Sequence, residues 1–110
     1  MKKNIRIFIS YSHKDESYKD ELTTHLAGLK RAGYIESWDD RKILPGQQWN
    51  DEIANSLNNA NLILFLLSAD FIASEYVYKV EIQAAKEKHK RQEATIVPII
   101  IRAAISQIQV

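Results

Sequence analysis

A polar cluster follows the first apolar segment of the chain and contains side chains that could bind a ligand. Residues 5–10 alternate as in a β-strand, and Tyr11, Ser12 and His13 come directly after them. In an open α/β sheet, ligands bind beside the carboxyl ends of the strands. A purely structural role is the alternative, because Ser12 and Asp15 are both good residues for capping a following helix.

A second candidate for chemistry is a single acidic residue in an apolar setting. Glu81 stands between Val80 and Ile82, which is an unusual place for a charge without a use. A carboxylate there could stabilise positive charge that develops in a transition state. The alternative is a solvent-exposed or lysine-paired helix residue, since Lys79 and Lys88 lie nearby, and composition alone favours this alternative.

Other common chemistries do not fit the spacing of the remaining residues. The three glycines, at positions 28, 33 and 46, cannot assemble a GxxxxGK[ST] or GxGxxG phosphate loop. The chain has no cysteine, and its three histidines are widely scattered, so we expect no metal site. The basic run at 86–91 is favourable at the end of a helix, and a formal net charge of +1 does not indicate nucleic acid as a partner.

Length and composition predict one compact domain over residues 1–110. The chain has 110 residues, 45% of which are hydrophobic, and this is enough for a single core. No apolar run is long enough to cross a bilayer, and the amino terminus leads into a strand rather than a signal-peptide core. We therefore expect a cytoplasmic protein with no membrane partner, and the absence of cysteine is compatible with a reducing compartment.

Predicted strands and helices alternate along the chain. The strands are expected at 5–10, 34–38, 62–67 and 94–102, and the helices at 17–32, 49–59 and 71–91. In the first helix, Leu22, Leu26 and Leu29 form one stripe, and Gly33 ends it. Residues 39–48 are expected to form a loop. The last two strands are unbroken apolar runs, which is typical of strands covered on both faces.

This order of elements predicts a flavodoxin-like α/β fold. The sheet is expected to be open and parallel, in the order 2-1-3-4, with helices on both faces. A response-regulator-like domain shares this architecture but needs a phosphoacceptor aspartate at the end of the third strand. Here that strand ends in Leu67 and Ser68, with Asp70 beyond it, so the alternative is poor.

Four segments together resemble the Toll/interleukin-receptor (TIR) domain family, and bacterial members most. They are the FISYS sequence at 8–12, the loop segment at 38–49 with its Pro45-Gly46 turn, the segment at 68–81 and the strand at 97–100. These segments cover nearly the whole chain in the order and spacing of the family. Their combination is far more specific than any one of them.

The resemblance implies one of two functions. A self-assembled TIR domain can cleave the nicotinamide–ribose bond of NAD⁺ in bacterial signalling or defence, or it can act as a non-catalytic module for homotypic TIR–TIR contacts. Glu81 matches the catalytic glutamate of the family. The candidate substrate-binding residues are Tyr11, Ser12, His13, Asp39, Gly46, Trp49, Ser74 and Tyr76. NAD⁺ would be a substrate, so we expect no cofactor. Two of these residues have structural roles as alternatives to substrate binding: Asp39 could belong to a surface turn, and Ser74 could cap a helix break.

The chain departs from the family pattern in two places. Many members have an aromatic residue four positions before the glutamate, where this chain has Val77, and one extra residue precedes Glu81. This leaves open whether a product would be linear or cyclic ADP-ribose. TIR domains also usually continue past the fourth strand, so we expect a C-terminally truncated domain in which 94–102 is an edge that pairs with another chain or is covered by a longer parent.

Overall fold

The computed structural model describes residues 5–44, 51–74 and 77–101, with backbone only at 77–79. Its strands are β1 (Arg6–Ser12), β2 (Ser37–Ile43), β3 (Leu62–Leu67) and β4 (Thr95–Ile100). Its α-helices are α1 (Glu16–Arg31), α2 (Asp51–Asn59), α3 (Ala69–Ile72) and α4 (Gln83–Lys90). A 3₁₀ turn, His13–Asp15, precedes α1, and a π-helical segment, Val77–Ile82, precedes α4. None of the helices in these ranges is long and apolar enough to cross a bilayer.

The four strands form one parallel sheet in the order β2-β1-β3-β4, which confirms the predicted architecture. β1 lies in the middle and pairs with both β2 and β3. In this register Ser10 of β1 lies opposite Arg41 of β2 and Phe65 of β3. Side chains of directly paired residues point to the same face of a sheet, so these three belong to one face.

Each face of the sheet has its own apolar core, because successive strand residues point to opposite sides. On one face Phe8 and Phe65 pack with Leu57 of α2, Phe71 of α3 and Ala85 of α4. On the other face the apolar cluster is that of Ile7, Ile9, Tyr11, Leu26, Ile35, Leu64 and Leu66, with Leu26 coming from α1. Helices therefore cover both faces, as predicted.

The first helix is close to its prediction, with a narrower buried stripe. Leu26 is buried and Leu22 half-buried, whereas Leu29 is 42% exposed, so the expected third member of the stripe faces solvent. Gly33 has a φ of 87°, and its N–H donates to the carbonyl of Lys30 at 3.1 Å. The predicted left-handed cap is confirmed.

The second strand was predicted in the wrong place. β2 runs from Ser37 to Ile43, while Tyr34 lies outside it and is 60% exposed. Asp39, expected in a loop, lies within this strand. The charged sequence SWDDRKI lacks an apolar alternation, and its extended form depends on backbone pairing with β1, which a single sequence segment does not reveal.

The single long helix predicted at 71–91 is broken. The helix α3 ends at Ile72, and the chain resumes as a π-helical segment at Val77 before α4 begins. The Ser68 side chain accepts a hydrogen bond from the N–H of Phe71 at 3.2 Å and so caps α3. A π-helix closes i→i+5 hydrogen bonds and has more residues per turn than an α-helix. It can therefore accommodate the residue before Glu81 that is additional to the family pattern.

The fourth strand forms an edge of the described sheet, as predicted, but it is not covered on both faces. Val97 is 38% and Ile100 is 61% exposed, and Thr95 and Pro98 are also exposed among the residues that the structure describes. Ile96 and Ile99 pack against the cores on opposite faces. An apolar run predicts double burial only where helices cover both sides, and the described helices cover β4 incompletely.

Candidate functional site

Glu81 is the centre of a buried polar cluster on the face covered by α2 and α4. Its side chain is 0% exposed. Oε1 accepts a hydrogen bond from the Ser10 hydroxyl at 2.9 Å, and Oε2 accepts one from Nε of Arg41 at 2.8 Å. The alternative of a solvent-exposed or lysine-paired glutamate is therefore wrong: the residue has left solvent, and its cation is an arginine.

The sheet register explains why these three residues meet. Ser10 and Arg41 are direct neighbours across the β1–β2 pair, and the π-helical segment places Glu81 over them. The Arg41 side chain is 4% exposed, and its Nη1 donates to the carbonyl of Lys42 at 2.9 Å. These contacts orient the guanidinium, and its charge faces the carboxylate.

Burial and the neighbouring groups act in opposite directions on the ionisation of Glu81. Burial raises the pKa of this carboxyl above the ordinary glutamate value, because a charge loses its hydration there. The positive charge of Arg41 and the hydrogen bonds from Ser10 and Arg41 lower the same pKa and offset part of the increase. The balance leaves the pKa of Glu81 raised.

A cleft of about 170 Å³ opens beside Arg41, between β2 and α2. Its lining residues are Phe8, Asp39, Asp40, Arg41, Glu52, Ile53 and Ser56. Pockets that hold small-molecule ligands typically measure about 300–1,000 Å³. In the part of the chain that the structure describes, this cleft is therefore too small for a dinucleotide.

Two of the residues predicted at the end of β1 lie apart from Glu81. Tyr11 is buried on the opposite face of the sheet, below α1, where Lys19 Nζ lies 5.6 Å from its ring centroid. Burial raises the pKa of the Tyr11 phenol. Nδ1 of the half-buried His13 donates to the carbonyl of Ile43 at 3.2 Å, which ties the 3₁₀ turn to the end of β2.

Ser12 shares the face of Ser10, but its hydroxyl has a structural role. It accepts a hydrogen bond from the N–H of Lys14 at 3.3 Å and caps the 3₁₀ turn, as the structural alternative expected. Asp39 is exposed and lines the cleft beside Arg41. Ser74 follows the end of α3, where its N–H donates to the carbonyl of Phe71 at 3.2 Å. Gly46, Trp49 and Tyr76 lie outside the described residues.

The sequence interpretation missed both partners of Glu81. A serine at position 10, between the apolar Ile9 and the aromatic Tyr11, is a signal that a buried polar contact exists. Arg41 was hidden because its segment was assigned to a loop. A second buried pair was also missed: the Ser68 hydroxyl donates to Oδ2 of Asp15, and both side chains are 0% exposed.

The sheet is parallel, in the order 2-1-3-4, and helices cover both of its faces, which defines a flavodoxin-like α/β domain. The buried Glu81 carboxylate lies against β1 and β2. Residues 7–109 match the TIR domain family, and the chain belongs to that family. It is also similar to the uncharacterized protein y4lF of Sinorhizobium fredii, with 48% identity over 97 residues. The match covers 88% of this chain and 30% of y4lF, so the chain spans about a third of that relative's length.

Proposed function

We propose that this TIR domain, when self-assembled, cleaves the nicotinamide–ribose bond of NAD⁺. The observation that supports the proposal is the buried carboxylate of Glu81, held by Ser10 and Arg41 at the position that matches the family's glutamate. We further propose that the activity serves signalling or defence in the bacterial cytoplasm.

The chemistry needs only one carboxylate. The bond between C1′ of the ribose and the ring nitrogen of nicotinamide breaks, and its electron pair leaves with the ring, which departs as a neutral molecule. No general acid is therefore required, unlike in most glycosidases. Water adds to C1′ and loses a proton, which yields ADP-ribose. The Glu81 carboxylate would bind the ribose hydroxyls and stabilise the positive charge that develops at C1′.

We propose that self-assembly opens a path for the substrate to Glu81. Its side chain is 0% exposed and lies against Ser10 and Arg41, so neighbouring groups must move before a substrate can reach it. The cleft beside Arg41 must also widen to admit a dinucleotide. Contacts between copies of the domain could stabilise such an open arrangement, and activity would then rise more steeply than protein concentration.

The test is nicotinamide release from NAD⁺ at increasing protein concentration, with the parent protein, Glu81→Gln and Lys42→Met. We expect turnover per molecule to increase with concentration in the parent and in Lys42→Met, and to vanish in Glu81→Gln. Lys42 is a suitable control because it pairs with Glu16 and does not contact Glu81. Thermal melts must show that each variant is folded.

Two outcomes would contradict the proposal. Equal turnover by Glu81→Gln and the parent would remove Glu81 from catalysis. A folded parent with no turnover at any concentration would favour the non-catalytic TIR–TIR interaction module.

A further inference from the structure

We propose that Arg41 is the positioning residue for Glu81: it anchors Oε2 and thereby leaves Oε1 as the oxygen that meets a ribose hydroxyl of the substrate. This inference rests on the proposed function and adds the residue that orients the carboxylate. Arg41 would not contact the reacting atoms and would act through Glu81.

The two carboxylate oxygens have partners of unequal strength. Oε2 faces the positively charged guanidinium at 2.8 Å, so the attraction between opposite charges adds to this hydrogen bond. Oε1 faces the neutral hydroxyl of Ser10 at 2.9 Å. A ribose hydroxyl can replace the Ser10 hydroxyl with a bond of the same type. Displacing Arg41 would instead separate two buried opposite charges, which is far more costly.

Neighbouring contacts also hold Arg41 in place. Arg41 belongs to β2, whose backbone is paired with β1, and its Nη1 is bonded to the carbonyl of Lys42. Its side chain is 4% exposed. A catalytic group must be held close to its productive geometry by neighbours whose own conformations are fixed, and Arg41 meets this requirement.

Arg41 is also the charged group that opposes protonation of Glu81, and its effect on the pKa is larger than that of the Ser10 hydrogen bond. A protonated carboxyl could not stabilise a developing cation. Two acidic residues line the cleft beside Arg41: Asp39 of β2 and Glu52 of α2. β1 presents the neutral Ser10, and β3 presents Phe65. Lys88 of α4 donates a hydrogen bond from its ammonium group to the carbonyl of Asn58 at 2.5 Å. Arg41 is thus the cation bonded to Glu81 within the described residues.

The experiment compares Arg41→Met and Arg41→Lys with the parent, and uses Lys42→Met as a matched control that removes one positive charge from the adjacent position. Two quantities are measured: the pH profile of nicotinamide release, and the pKa of the Glu81 carboxyl followed by ¹³C NMR in the absence of NAD⁺. Ser10→Ala, which removes the neutral partner, is titrated in the same way.

For Arg41→Met we expect kcat at neutral pH to fall about tenfold or more, because the carboxylate loses its orientation. We also expect the pKa of Glu81, and the acidic limb of the pH profile, to move upward by about one to three units. Arg41→Lys should bring the pKa back toward the parent value with only partial recovery of kcat. Ser10→Ala should raise the pKa less than Arg41→Met does, and Lys42→Met should keep the parent's profile.

An Arg41→Met protein whose Glu81 titrates at the same pH as in the parent, with an unchanged pH profile, would overturn the inference. The same holds if Lys42→Met moves the pKa as far as Arg41→Met does. If Arg41→Met does not fold, Arg41→Lys keeps the test valid, because full kcat with a lysine would contradict positioning by the guanidinium. Absence of turnover in the parent would overturn the proposed function, and the NMR titration would still decide whether Arg41 controls the ionisation of Glu81.

Discussion

Arg41 and Glu81 form a buried ion pair in which Nε lies 2.8 Å from Oε2, and the two side chains are 4% and 0% exposed. The pair connects an edge strand to the π-helical segment before α4. Both groups lost their hydration when they were buried, and their mutual attraction offsets part of this desolvation cost. Stability and the proposed chemistry therefore depend on the same contact.

The first prediction concerns the stability of this pair. Glu81→Met should lower the free energy of unfolding by about 3–5 kcal/mol, because it leaves an arginine that cannot lose its charge in a buried position. Arg41→Met should cost less, since Glu81 can take up a proton. The double variant should be close to the parent. Urea denaturation of all four proteins measures the coupling, and simple addition of the two single costs would contradict this account.

The second prediction concerns pH. The pKa of Glu81 is raised in the folded protein, so the folded state binds this proton more tightly than the unfolded chain does. The contribution of Glu81 to stability is therefore full below its ordinary pKa of 4.5 and is lost as the pH rises through the folded-state value.

Glu81→Gln does not titrate at this position and is the reference for that measurement. The difference in unfolding free energy between the parent and Glu81→Gln should shift against the parent as the pH rises above about 4.5. Chemical denaturation across this range tests the sign. A difference that stays constant, or that moves in favour of the parent, would show that Arg41 outweighs burial.

The third prediction uses two glycines of the α1 region that differ in backbone conformation. Gly33 has a φ of +87°, and no described heavy atom lies within 4 Å of a Cβ added there, so Gly33→Ala should cost about 1–2 kcal/mol through the backbone alone. Gly28 lies within α1 with equally open surroundings, and Gly28→Ala should stabilise by about 0.5–1 kcal/mol. Thermal melts of both variants measure these changes. Changes in melting temperature of the same sign would contradict the predicted difference between the two glycines.

The fourth prediction concerns β4, the edge strand of the described sheet. Ile100 is 61% exposed, so Ile100→Lys should change the free energy of unfolding by no more than about 0.5 kcal/mol. A lysine on an edge strand discourages pairing with another chain, and self-association should weaken. Sedimentation at several concentrations is the measurement. Unchanged association with unchanged stability would show that copies of the domain do not meet through this edge.

The elements with strong internal periodicity could be predicted from the sequence. β3 was placed at its observed bounds, and α1 within a residue at each end, because an unbroken apolar run and a leucine stripe are local signals. β2 was misplaced because its seven residues include four charged side chains, and only pairing with β1 makes them a strand. The break after α3 was anticipated only through Ser74 as a cap at a helix break, since the hydrophobic pattern on both sides is compatible with one helix.

The sequence by itself predicted the fold class and the order of the strands, and its resemblance to the TIR family singled out Glu81 as the candidate catalytic residue. The tertiary structure alone decided what that glutamate contacts. Ser10 and Arg41 are 71 and 40 positions away from Glu81, and neither distance is visible in a local pattern. They meet because parallel pairing places Ser10 beside Arg41 and because the helices on that face exclude water from the site. Burial then gives the ion pair its strength and raises the pKa of the carboxyl, which are properties of the packed fold.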